Sequence, residues 1–269
     1  MAVSLGPKPL VAVGQVTSTP DKEQNFSGCA ALVRAAARQG ACLVFLPEGF
    51  DYIGRDSAQT LSLVSPTSPA PLRGPVAHPS APSAPLSLAG RLAAAYRKTH
   101  LCDVELEGRV TMKESSFTNP AMSCVCPDCP LVPDQLGLSI CYDLRFPEIS
   151  LALRHAGAEI LTYPSAFTFP TGSAHWEVLL RARAIETQCY VVAAAQTGRN
   201  HEGRMSYGHT LVADPWGTVV AQCSEGPGLC YAEIDLEYLH RVRREIPVQS
   251  HRRADLYGTV GKPKATQGI

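Results

Sequence analysis

Runs of consecutive apolar residues alternate with apolar residues at helical spacing over most of the chain. Residues 10–16 form a short β-branched run that reads as a buried strand. Residues 18–21 supply polar turn and cap residues. Ala30, Leu32, Val33, Ala36 and Ala37 then recur at helical spacing as far as Gly40. Residues 41–46 read as a second buried strand, which completes a β-α-β unit of the size a parallel crossover requires. The second half repeats this logic, with strands at 136–141, 160–163 and 190–195 and helices at 148–155 and 176–188. Residues 210–213 and 218–221 then meet across Asp214-Pro215-Trp216-Gly217, a hairpin signal, and 229–234 is a further strand. The pattern predicts an α/β layered domain with mixed sheets.

One interval breaks the pattern. Residues 57–95 hold seven of the 22 prolines, seven serines, no aromatic residue and only two charges, Arg73 and Arg91. Proline at this frequency forbids a helix interior or a central strand. The interval therefore reads as low-complexity, polyproline-like sequence, with a short helix recovered over 86–95. Ser65-Pro66-Thr67-Ser68-Pro69 has the PxxP pattern of an SH3-class ligand, but such patterns arise often in Pro/Ser-rich sequence and the plain reading outweighs it.

Composition narrows the function classes. A chain of 269 residues that is 45% apolar and 18% charged is long enough for a substantial core. Its 24 basic and 24 acidic residues leave no surplus to recruit nucleic acid. No apolar run approaches the ~20 residues that span a bilayer. Residues 1–10 carry neither the apolar core of a secretory signal nor an Arg-rich transit pattern, so a cytoplasmic protein with no membrane partner is expected. The ten cysteines are irregularly spaced, and in a reducing compartment most are small buried apolar residues. Cys124, Cys126 and Cys129 hint at zinc, but three thiols without a second CxxC or HxxxH are an incomplete ligand set, and a surface loop is the better reading.

HExxH, a phosphate-binding Gly loop, GxGxxG and GxSxG all fail to occur, and the eight histidines form no pair at i, i+3 or i, i+4. A nucleophile candidate remains. Cys141 ends a predicted strand just before a predicted helix, where the helix dipole favours thiolate and nearby N–H groups can meet an oxyanion. Placement alone does not separate it from an inert buried cysteine. Glu48 follows the second strand, and Lys98 lies in the basic run Tyr96-Arg97-Lys98-Thr99-His100. Catalytic groups of open α/β sheets gather at the carboxyl ends of strands. A carboxylate can serve a thiol as base, and a lysine can stabilise an oxyanion.

The segments FLPEGF, YRKTHL and LSICYDLRFPE, in that order, resemble the three catalytic motifs of the nitrilase superfamily of carbon–nitrogen hydrolases. The tract from Leu161 through YGHTLVADPWGTVVA is also similar to that family. The resemblance implies an α-β-β-α sandwich and a single hydrolase domain over 1–269, interrupted at 57–95. It implies amidase activity on small α-keto acid or peptide-like amides through a cysteine thioester, with ammonia released and no metal or organic cofactor. Carried over, Cys141 is nucleophile and Glu48 general base, and Lys98 and the Tyr142 N–H hold the oxyanion. Glu114 matches a second pocket carboxylate, with the two carboxylate pKa values pushed apart if they are neighbours.

Arg145, Phe167, Thr171 and Trp176 fall in segments expected near the substrate. Arg145 either binds a substrate carboxylate or pairs with Asp143, Glu148 or a partner subunit. Glu177 and Arg181 pair along the long helix, a helix that packs at a dimer interface in such enzymes, so a homodimer or larger homo-oligomer is expected. A mitochondrial form is compatible with the resemblance. The family fills the interval between its Glu and Lys motifs with a helix and two sheet strands, where this chain has Pro/Ser/Ala sequence. That departure predicts an incomplete sheet, a Lys98 without its strand and impaired activity, leaving heterodimerisation or the Pro-rich segment as alternative roles.

Overall fold

The computed structural model describes residues 8–63, 83–88, 91–106, 110–116, 125–126 and 136–258. The Ser65–Pro69 pattern and Cys124 and Cys129 lie outside these residues.

The amino-terminal run forms β1 (Leu10–Val16), followed by α1 (Lys22–Arg38) and β2 (Leu43–Phe45). Asp21 caps α1 by accepting the Gln24 N–H at 3.0 Å. β2 lies parallel to β1, as the crossover requires. Gly14 permits close packing here, since a Cβ would stand 3.0 Å from the Leu46 side chain. A second helix, α2 (Ser57–Leu63), follows and is capped by Asp56, whose carboxylate accepts the Gln59 N–H.

Two ribbons come next. β3 (Ser83–Leu88) pairs antiparallel with β4 (Arg91–Arg97), and β5 (Asp103–Leu106) pairs with β6 (Val110–Lys113). Among the described residues neither ribbon joins another strand. The helix expected over 86–95 is therefore a strand hairpin. The proline argument applies less widely than the composition suggested, because 57–63 contains no proline and 83–97 contains only Pro85. Pro85 sits on β3, a strand that pairs on one side, where its missing N–H is tolerated.

β7 (Val125–Cys126), β8 (Leu136–Leu138), α3 (Pro147–His155), β9 (Ile160–Thr162), α4 (Phe169–Thr187) and β10 (Tyr190–Ala193) build the second layer pair. The chain closes with β11 (Ala195–His201), β12 (Arg204–Tyr207), β13 (Leu211–Ala213), β14 (Val219–Gln222), β15 (Gly228–Glu233), α5 (Leu236–Glu245) and the short α6 (Ala254–Tyr257).

One sheet runs β12-β11-β1-β15 with β2 also on β1, and the other runs β14-β13-β10-β9-β8-β7. Within the second, β8, β9 and β10 are parallel and buried throughout, which suits their apolar sequences. The sheets face each other. Val11 and Val13 of β1 join one core with Leu136, Leu138, Ile160, Leu161, Val191 and Val192, and Gln15 accepts the Thr210 N–H across the gap at 2.8 Å. α1 covers one outer face and α3 and α4 the other, giving the α-β-β-α sandwich. Each fully buried aliphatic side chain contributes roughly 1.5–3 kcal/mol of transfer free energy, so this core is the main stabilising element.

Candidate active site

Four chemically competent side chains come from four strand ends. Glu48 lies just beyond β2, Lys98 one residue beyond β4, Glu114 one residue beyond β6, and Cys141 just beyond β8. The Glu48 loop is held by Gln196, fully buried, whose side-chain amide donates to the Glu48 and Gly49 carbonyls at 3.1 and 3.0 Å. Gly49 takes φ +67°, a value that disfavours a side chain. Lys98 is 2% exposed and its Nζ lies 2.9 Å from both Glu48 Oε1 and Glu114 Oε1. Glu114 Oε2 accepts the Cys102 N–H at 2.6 Å, which fixes the second carboxylate. The two glutamates thus share one ammonium, and their proximity follows.

Cys141 opens a 3-10 turn, Cys141–Arg145, with φ +43°. A side chain at positive φ is strained and must be held in place by its surroundings. Here the Cys141 N–H donates to Pro164 O at 3.0 Å, and the Asp143 N–H donates to Ile140 O at 2.9 Å. The Tyr142 N–H, next in the chain, belongs to the same turn.

The electrostatics correct one expectation. Burial pushes the Cys141 thiol well above its ordinary value, Glu48 raises it further, and Lys98 together with the Ala166 N–H pulls it back only in part. The 3-10 turn separates the thiol from α3, so Cys141 does not stand at that helix's N-terminus as expected. Cys141 therefore rests as a thiol and needs a base. Burial works against the charge on Lys98, but Glu48, a Cys141 thiolate and Glu114 together raise its pKa well above the usual lysine value. Burial raises Glu114, against the lowering effect of Lys98.

Lys98 does not lack a strand, contrary to the sequence expectation, since β4 runs directly into it. The edge of the first sheet does remain thin: among the described residues β2 pairs only with β1.

Arg145 and Phe167 come together beside the thiol turn. The Arg145 guanidinium lies over the Phe167 ring at 5.1 Å and the Tyr142 ring at 5.5 Å, and donates to His175 Nδ1 at 3.2 Å. Neither Asp143 nor Glu148 pairs with it; Asp143 is bound instead to His100. Trp176 lies in the core. It is 1% exposed, donates to His209 O at 2.7 Å and stands behind Phe167 at 5.0 Å, because its position on α4 faces the core. Thr171 is half-buried, and its hydroxyl meets Thr168 at the start of α4. Glu177 and Arg181 form the expected pair along α4 at 3.6 Å. Sequence reading gave no role to Gln196, Cys102 and His175, and it named Asp143, inside the cysteine motif, only as a partner for Arg145.

Comparison with known proteins decides what this cluster belongs to. The carbon–nitrogen hydrolase family model matches residues 10–77 and 83–244. The chain belongs to the carbon–nitrogen hydrolases. This hydrolase is 58% identical over 280 residues to human deaminated glutathione amidase, covering 95% of the chain and 85% of the relative. It is 45% identical to the Caenorhabditis elegans nitrilase and fragile histidine triad fusion protein, over 92% of the chain and 61% of the fusion. The crystal structure of the C. elegans fusion superposes with TM-score 0.86 at 42% identity, covering 98% of this chain and 70% of that one. A Saccharomyces cerevisiae nitrilase-superfamily member superposes with TM-score 0.77 at 27% identity, over 93% and 98% of the two chains. The carbon–nitrogen hydrolase fold is thus shown, and the match continues on both sides of residues 78–82.

Proposed function

We propose that this hydrolase is an amidase for small α-keto acid or peptide-like amides of the deaminated glutathione kind. The supporting observation is that Lys98, held by Glu48 and Glu114, and the two carboxylates themselves act on the thiol of half-buried Cys141. As Cys141 Sγ attacks the amide carbon, its proton passes to Glu48 and the carbonyl electrons move to oxygen. Lys98 and the Tyr142 N–H stabilise that oxyanion. Collapse breaks the C–N bond, nitrogen takes the proton from Glu48, and ammonia leaves a thioester. Water then gives a proton to Glu48 and attacks the thioester carbon. The second collapse releases the acid and returns the proton to sulfur. Glu114 keeps Lys98 oriented and assists proton transfer.

Arg145 supplies the substrate preference. Its charge lacks a carboxylate partner among the described residues and faces rings, an arrangement suited to a substrate carboxylate. Phe167 forms the apolar wall beneath it. Incubation of the purified chain with deaminated glutathione and with keto-acid amides should release ammonia, and no release from any of them would refute the amidase reading.

A homodimer across α4 belongs to the same proposal. Val178 and Ile185 are 68% and 51% exposed, and Gly217, next to the exposed Trp216, packs beside Ile185. Gel filtration with light scattering should give twice the chain mass, whereas a monomer would exclude it. Cytoplasmic residence with a mitochondrial form is also proposed, and cell fractionation tests it.

A further inference from the structure

We infer that Asp143 is a positioning residue that registers the Lys98 loop against the Cys141 turn; the inference rests on the amidase reading of this same site. Asp143 is fully buried, yet no lysine or arginine pairs with it. Burying a carboxylate is costly unless hydrogen bonds replace water, and here they come from two segments. From its own turn, the Ile140 N–H donates to Oδ2 at 3.0 Å. From the lysine loop, Tyr96 O–H donates to Oδ2 at 2.7 Å, and the His100 N–H and Nδ1 reach Oδ1 at 2.9 and 2.8 Å.

The bonds bracket Lys98 on both sides. Tyr96 O–H also accepts the Thr99 N–H at 3.0 Å, closing a ring of contacts around the loop. The His100 ring stacks on Phe146, at the far end of the Cys141 turn, with centroids 3.8 Å apart. One carboxylate therefore holds both the strained nucleophile turn and the oxyanion cation. This coupling matters because Lys98 stands on a ribbon that joins neither large sheet among the described residues. A misplacement of ~1 Å at a catalytic group can cost ~100-fold in rate.

Asp143→Asn keeps the shape but presents an amide NH2 to donors on one side, so one half of the brace is lost. His100→Ala removes the ring contact, while His100→Asn returns an N–H close to the Nδ1 position. Two readouts are taken on folded protein, checked by circular dichroism. The first is ammonia release. The second is the rate at which iodoacetamide labels Cys141, followed on the Cys141 peptide by mass spectrometry, which needs no turnover. The expected result is a kcat fall of at least tenfold in Asp143→Asn and His100→Ala with KM within about threefold, recovery in His100→Asn, and parallel slowing of Cys141 labelling. Unchanged kcat and labelling in folded Asp143→Asn would overturn the inference, as would a loss in His100→Ala that His100→Asn fails to restore. If the wild-type chain releases no ammonia, the amidase reading fails by itself, and the labelling rates still decide the role of Asp143. Should Asp143→Asn not fold, the His100 pair carries the decision.

Discussion

The two halves of the site stand on unequal foundations. Cys141 and Glu48 leave strands of the two large sheets, and β8 in particular is flanked by β7 and β9 and buried in the common core. Lys98 and Glu114 leave two-stranded ribbons. A two-stranded ribbon is marginal alone, so the second half is held by side chains: Tyr96 in the core at 1% exposure, the two Lys98 ion pairs and the Cys102 N–H to Glu114. The nucleophile turn is thus anchored on a strand packed in the core, with hydrogen bonds bracing the turn itself, whereas the cation and second carboxylate are placed largely by the charges and hydrogen bonds they make themselves.

The contrast is sharpest at Lys98. Replacing it with methionine leaves the buried Glu114 and the half-buried Glu48 without their shared cation. Breaking a buried pair from one side costs about 3–5 kcal/mol, and losing an oxyanion partner costs on the order of 10²–10³ in kcat. Lys98→Met should therefore lower both the melting temperature and kcat. A variant that lost activity at unchanged stability would mean that the ribbons are supported independently of the ion pairs.

Arg145 belongs to the well-supported half, so its removal should act on substrate alone. Arg145→Ala is expected to raise KM for a carboxylate-bearing amide by about tenfold, the value of one charge-assisted hydrogen bond, with a neutral amide and the melting temperature little changed. Equal effects on both substrates would make Arg145 structural.

The smallest effect concerns alkaline stability. Cys141 has a folded-state pKa raised by burial, so below about pH 9 the thiol is protonated in folded and unfolded chains alike and costs nothing. Above about pH 9 the unfolded chain ionises and the folded one resists, so stability falls by on the order of 1.4 kcal/mol per pH unit for this group. Cys141→Ala should lose less melting temperature than wild type between about pH 8 and 10.5. A parallel decline would show the thiol to be better solvated than its burial implies.

The same division marks what could be read from the sequence. Continuous apolar runs identified β1, β8, β9 and β10, because strands buried on both faces leave an unmistakable pattern, and β2 was read the same way although only its Leu43 is buried. Glu48, Lys98, Glu114 and Cys141 were legible through their motifs, and the structure brings them together. The β3–β4 hairpin was not legible, since proline-rich neighbours masked one short segment with a single tolerated proline. Trp176 lies on the core side of α4, and a helix whose apolar residues are spread around it gives no sign of which side is buried. Asp143 and Gln196 act through hydrogen bonds to distant segments, which no local spacing records.

The most direct measurement is ammonia release from deaminated glutathione by the wild-type chain and by Cys141→Ala, with the Cys141 peptide examined by mass spectrometry after acid quench. The wild-type chain should release ammonia and carry an acyl adduct on Cys141, and the variant should fall by about 10⁴-fold or more without an adduct. Equal release by both proteins, or none by the wild type, would contradict a thioester amidase built on Cys141.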